Sequence, residues 1–177
     1  MSDASLSDAS LSDASLSDAT VTRIAIKDVT PDVSSAMRAL HEAALAAARA
    51  AGIEPELLQL VRIRASQING CSLSLARHLR DARAMGQSEQ RISDVRAWRN
   101  SKVLSPRERA ALSLTEAITL VFAGQVPNAV YAEAAGLFDE TQLAALIWAA
   151  TVINTHNRIA ITTRLEGSGA PPIAAAG

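Results

Sequence analysis

Between residues 55 and 69 the chain reads PELLQLVRIRASQIN, and Leu57, Leu58, Val61, Ala65 and Ile68 recur at the spacing of one helix face. Pro55 suits a first helical position, and Gly70 suits the stop. The same punctuation recurs along the chain. Thr30 as cap, Pro31 at the first turn and Asp32 at the positive end of the dipole predict a helix through SSAMRALHEAALAAARA to Gly52. SLSLARHLRDARAM predicts another, stopped by Gly86, and Ser88 opens EQRISDVRAW, where Ile92, Val95 and Trp98 lie near one stripe. SPRE at 105 to 108 is a capping box with proline at the first helical position, leading into RAALSLTEAITLVFA and ending at Gly124. NAVYAEAA gives a short helix before Gly136, and DETQ from Asp139 caps a long last helix reaching about Arg164. About seven helices, with VTRIAIKDV as a short extended arm, predict an all-α domain.

The ends of the chain break this pattern. MSDASLSDASLSDASLSDAT repeats SLSDA, a five-residue period that fits neither helix nor strand and carries too little apolar surface to offset the entropy of ordering. Residues 1–20 are therefore expected to form a disordered tail. Structural repeats need units of roughly 20 residues or more, so no solenoid is expected. GSGAPPIAAAG, residues 167–177, reads as a second loose tail. The folded domain is expected over residues 21–166.

Composition sharpens the picture in three places. With 49% hydrophobic but only 3% aromatic residues, the core has to be built from Ala, Leu, Ile and Val in closely packed helices. A chain of 177 residues can bury one continuous core without disulfide or metal staples. Seventeen basic side chains against 18 acidic ones leave a net charge of -1, which gives no sequence-independent grip on nucleic acid or an anionic membrane. The most apolar stretch, LAALIWAATVINTHNRIAI, is interrupted by polar residues in its second half, and no signal-peptide pattern opens the chain. One cysteine excludes an internal disulfide, and no Cys and His arrangement approaches a four-ligand zinc set. A cytoplasmic protein is expected. No glycine-rich loop follows a strand, so no nucleotide cofactor is expected either.

That single cysteine lies in NGCSLSLARH, residues 69–78. At the first turn of a helix, unpaired N–H groups and the dipole favour thiolate over thiol at Cys71. Ser74 and His78 follow at three and seven residues, climbing roughly one face, so a neutral imidazole can take a proton from either group directly or through water. The structural alternative is that Cys71 packs as a small hydrophobe, Ser74 caps and His78 fills space.

LLQLVRIRASQINGCSLSLARHLRDARAMG, the Trp98 segment, LSPRERAALSLTEAIT and VINTHNRIAI occur in an order that resembles the carboxymuconolactone decarboxylase family, in its alkylhydroperoxidase D-like (AhpD-like) branch. The resemblance runs from about Val21 to Arg164. It implies an all-helical fold that assembles as a homo-oligomer, a trimer or hexamer. Redox members of the family resemble a pattern of Glu, eleven residues, Cys-x-x-Cys, three residues, His. On this chain the pattern falls on Gln59, Cys71, Ser74 and His78. The implied activity is thiol-dependent peroxide reduction, in which a cysteine pair cycles between dithiol and disulfide while Glu and His relay protons. Two of the four groups are changed. Gln59 cannot take up a proton as a carboxylate does, and Ser74, at the position of the family's attacking thiol, can neither reduce peroxide nor close a disulfide. The activity implied is thus a weak or lost one-cysteine form, with Cys71 oxidised to sulfenic acid and restored by an external thiol reductant. Two alternatives stand beside it: an acid-base enzyme of decarboxylase type with His78 as proton carrier, and a non-catalytic oligomeric scaffold for a ligand or partner.

Elsewhere, His156 is expected at an interface and Asn157 bonded to backbone or a partner chain. His41 is expected to be exposed, and Trp98 and Trp148 to fill core or subunit contacts. Arg62, Arg64 and Arg77 fit either a site entrance or a solvated face.

Overall fold

The computed structural model describes residues 21–165. The SLSDA tail and the C-terminal tail expected from the sequence lie outside the described residues. Eight α-helices follow in order: α1 Ile26–Val29, α2 Pro31–Ala50, α3 Pro55–Asn69, α4 Ser72–Ala84, α5 Glu89–Asp94, α6 Pro106–Thr119, α7 Asn128–Ala135 and α8 Glu140–Thr163. Two 3-10 turns, Val95–Asn100 and Val121–Ala123, follow α5 and α6, and there is no strand among the described residues.

α3 is the hub and packs against α4, α6 and α8. Its expected stripe, Leu57, Leu58 and Val61, meets Ala110, Ala111 and Leu114 of α6 and Leu146 and Ala150 of α8. The alanines bring the helix axes close, which is how a chain poor in aromatics fills its core. Leu60 and Ile63 point the other way, into a second cluster with Ala82, Val95, Trp98 and Leu112. α3 is therefore buried on more than the single face its stripe predicts, and this burial fixes the helix that carries Gln59 and Arg62.

Both capping boxes form. Ser105 Oγ accepts from the Glu108 N–H at 3.2 Å while Glu108 Oε2 accepts from the Ser105 N–H at 2.8 Å. Asp139 and Gln142 make the same reciprocal pair at the start of α8. Four expectations are corrected. The helix read through RAALSLTEAITLVFA to Gly124 ends at Thr119, and Val121–Ala123 forms a separate 3-10 turn. The extended arm contains a turn of helix, α1. Thr30 does not cap α2, because its hydroxyl turns back and donates to the Ile26 carbonyl at 2.9 Å, closing α1 instead. The helix read through EQRISDVRAW breaks into α5 and a 3-10 turn, with Ala97 out of helical conformation (φ -117°, ψ 35°), and this kink turns Trp98 into the core.

Candidate functional site

The α3–α4 junction positions the cysteine. Gly70 ends α3 in the left-handed conformation (φ 67°), which costs a residue with a side chain strain but costs glycine nothing. The Cys71 N–H then donates to the Ser66 carbonyl at 3.0 Å, and the Cys71 carbonyl accepts from the Leu75 N–H at 2.9 Å as α4 begins. Behind the turn Asn69 Nδ2 donates to Asn154 Oδ1 at 2.8 Å, and Asn154 Nδ2 donates to Thr119 Oγ1 at 3.0 Å, tying the junction to α8 and α6.

The four residues of the sequence pattern come together as two hydrogen-bonded pairs. Cys71 Sγ lies 3.3 Å from Ser74 Oγ. His78 Nδ1 lies 3.0 Å from Gln59 Oε1. An amide oxygen only accepts, so Nδ1 carries the proton and Nε2 presents its lone pair. No hydrogen bond joins Ser74 to His78 among the described residues, so the climbing relay is present as proximity along one helix. Cys71 is only 3% exposed. Ser74 rather than Cys71 stands on the wall of the adjoining cleft, together with Gln59 and His78.

That cleft has a volume of about 1030 Å³ and is walled by α1, α2, α3, α4 and α8. Met37, Leu45, Leu58, Ala149, Val152 and Ile153 supply much of its apolar surface. Its polar groups include residues the sequence placed elsewhere. His41, expected to be exposed, is half-buried on the cleft wall, with its ring edge-on to His156 at 5.4 Å. Neighbouring positive charge and burial act together here. His78 is pushed down to about 3 by burial first, then by Arg62, Arg77, His41 and His156. Burial also lowers His41 and His156, with Arg62 and Arg77 adding to it. All three imidazoles are thus neutral at physiological pH.

The three arginines separate. Arg62 and Arg77 face the cleft. Arg64 lies away from it and donates to Glu116, which also accepts from Trp98 Nε1 at 2.7 Å and from Arg99 at 2.6 Å. Trp98 is therefore a core residue with its N–H satisfied, whereas Trp148 is exposed. Asn157 is fully buried, its Oδ1 3.4 Å from Ser66 Oγ, and His156 lines the cleft. Among the described residues no group of three or more His, Cys, Asp or Glu is placed to hold a metal ion, and no helix is long and apolar enough to cross a membrane.

An all-helical domain with a cysteine turn on its central helix pair, a glutamine-bound histidine and a shared cleft defines a class, and comparison with known proteins agrees. The chain belongs to the carboxymuconolactone decarboxylase family, whose pattern matches residues 31–117. It is 43% identical over 103 residues to the uncharacterized protein YdfG of Bacillus subtilis (strain 168), a match spanning 58% of this chain and 70% of the relative. Its fold is similar to the crystal structure of a protein of unknown function from Agrobacterium tumefaciens, ATU0492, suggested to be the antioxidant defence protein AhpD. That match has a TM-score of 0.74 and 30% identity, covering 86% of this chain and 99% of the other. The fold is AhpD-like.

Proposed function

We propose that this protein is a weak, one-cysteine, thiol-dependent peroxide reductase of the AhpD-like kind. The observation that carries the reading is the 3.3 Å contact between Cys71 Sγ and Ser74 Oγ, which links the buried sulfur to a hydroxyl on the cleft wall. A hydroperoxide in the cleft reaches the sulfur past Ser74. The Cys71 thiolate attacks one peroxide oxygen, the S–O bond forms and the O–O bond breaks. The proton lost by the thiol, passed through the Ser74 hydroxyl, ends on the departing alkoxide as an alcohol. An external thiol then attacks the sulfenic sulfur, water leaves, and a second external thiol releases the Cys71 thiol and a disulfide. Gln59 orients His78 by accepting from Nδ1 but cannot store a proton, and Ser74 cannot resolve the sulfenic acid. Both changes slow the cycle.

The test is peroxide consumption by purified protein with several thiol donors, beside Cys71→Ala. Turnover that disappears in the variant supports the reading. A Cys71 that stays unmodified in the native protein, under peroxide that oxidises a free peptide of the same NGCSLSL sequence, overturns it.

One observation favours a second reading, acid-base chemistry of the decarboxylase type. The unprotonated Nε2 of His78 has no partner among the described residues and stands on the wall of a largely apolar cleft. On that reading the protein consumes no peroxide, and its turnover of a carboxylic acid substrate survives Cys71→Ala and is lost in His78→Ala.

A further inference from the structure

Arg62 is the outlier among the charged residues. It is only 9% exposed, yet it makes no hydrogen bond and no ion pair among the described residues, although its side chain lines the cleft. Glu116, the other buried charged residue among the described residues, has three partners. Its nitrogens are not sealed in the core but open onto the cleft, and a guanidinium largely withdrawn from water without a bonded counter-charge is costly, a cost that a ligand supplying acceptors in the cleft removes. The surroundings agree in sign. Two carboxylates, Glu42 and Asp81, line the cleft against five Arg and Lys side chains, in a chain whose overall charge is -1. Asp81 is already engaged by Arg77 at 3.9 Å. Burial, and after it the Arg77 charge, disfavour the protonated form of Arg62, while Asp81 opposes them, so a bound anion beside Arg62 and Arg77 relieves a repulsion that Asp81 only partly offsets.

The rest of the cleft is apolar, and its volume of about 1030 Å³ sits at the top of the roughly 300–1,000 Å³ usual for small-molecule sites. We propose that the cleft binds a monocarboxylate with an extended apolar body, its carboxylate gripped by the fork of Arg62 and its chain lying along Met37, Leu45, Val152 and Ile153. A planar guanidinium matches a carboxylate with two parallel N–H···O bonds. A single negative charge fits one buried cation better than a doubly charged phosphate monoester, whose desolvation costs more. Gln59 lies one helical turn before Arg62 on the same face, so the bound head group sits beside the Gln59–His78 pair.

Calorimetric titration tests this with decanoate, 1-decanol, decyl phosphate and acetate as probes. Decanoate should bind the full-length protein, acetate should not, and decanol should bind at least tenfold more weakly. Arg62→Met should weaken decanoate at least tenfold and leave decanol unchanged, with the far-ultraviolet circular dichroism of the variant matching the parent. Should that variant fail to fold, Arg62→Lys keeps the charge but loses the fork, and should still weaken decanoate selectively. Absence of decanoate binding overturns the proposal, as when a second copy or another segment of this chain already fills the cleft. Equal affinity for decanoate and decanol, or an Arg62 variant that binds decanoate normally, overturns it too. Tighter binding of decyl phosphate overturns the choice of head group. The readout is binding, so it stands or falls separately from any peroxide turnover at Cys71.

Discussion

At the scale of single residues, the cleft histidines set how stability responds to acid. His78 has an ordinary value of 6.5 in the unfolded chain and about 3 in the folded one, burial being the main cause. Between those values the unfolded chain binds more protons, so stability rises with pH. The loss therefore begins as pH falls below 6.5 and continues towards 3, at no more than about 1.4 kcal/mol per pH unit for one group. His41 and His156 are lowered too and push the same way. For Glu116, burial opposes ionisation, but hydrogen bonds from Trp98, Arg99 and Arg64 outweigh it, so its carboxyl also sits low and its contribution is lost only in stronger acid. The melting temperature should fall from about pH 7 to about pH 5, and His78→Gln should flatten that fall. An unchanged slope in the variant would mean that His78 is protonated in the fold. A second prediction concerns Ser74, whose Oγ stands 3.3 Å from Cys71 Sγ. In Ser74→Cys the two sulfurs need to approach to about 2.05 Å, a short movement across one helical turn. Peroxide should then yield an internal disulfide, detected as the loss of two hydrogens by mass spectrometry, and adding Gln59→Glu should raise peroxide turnover further. A double-cysteine protein that stays reduced under peroxide would show that the turn cannot close.

At the scale of elements, what was legible in the sequence was what is local. The capping box at Ser105 and Glu108 and the cap at Asp139 were readable because their partners lie three residues apart, and the further bonds these side chains make, Glu108 with Arg91 and Asp139 with Thr141, leave the caps in place. Thr30 looks like a cap of α2, but its hydroxyl has two choices within four residues, and the carbonyl of Ile26 wins over the N–H groups of α2. The break after α5 was hidden for a related reason. Ile92, Val95 and Trp98 keep helical spacing, while burial of the Trp98 ring, not the spacing, decides where the backbone bends. Two substitutions test the local devices. Ser105→Ala should cost about 1 kcal/mol of unfolding free energy in urea, the usual value of an N-cap. Gly70→Ala meets no atom within 4 Å of the added Cβ, so its penalty is backbone strain alone, about 1–2 kcal/mol. A neutral Gly70→Ala would mean that the α3–α4 turn relaxes, with Cys71 displaced from Ser74.

At the scale of the whole molecule, the sequence pattern reached the Gln59, Cys71, Ser74 and His78 cluster because it spans only twenty residues. It could not reach the cleft, since His41, Arg62 and His156 come from α2, α3 and α8 and only the packing of those helices brings them to one wall. The same packing leaves apolar surface uncovered. Val33 is 66% exposed on α2, and Phe122 is 85% exposed after α6. Val29 on α1 and Val121 beside Phe122 are exposed as well. Single exposed apolar side chains are ordinary, but paired ones at separate places on a chain with only two phenylalanines are economical only if another surface covers them. A closed ring of identical subunits covers two different patches at once, each meeting the other on its neighbour. The expected state is a homotrimer or hexamer, three or six times the 18.6 kDa chain mass by light scattering at micromolar concentration. Phe122→Glu places a charge in the proposed contact and should shift the mass towards the monomer while the helical circular dichroism is kept. A monomeric parent protein would sink the prediction, and an unaltered mass in Phe122→Glu would move the contact to another face of the molecule.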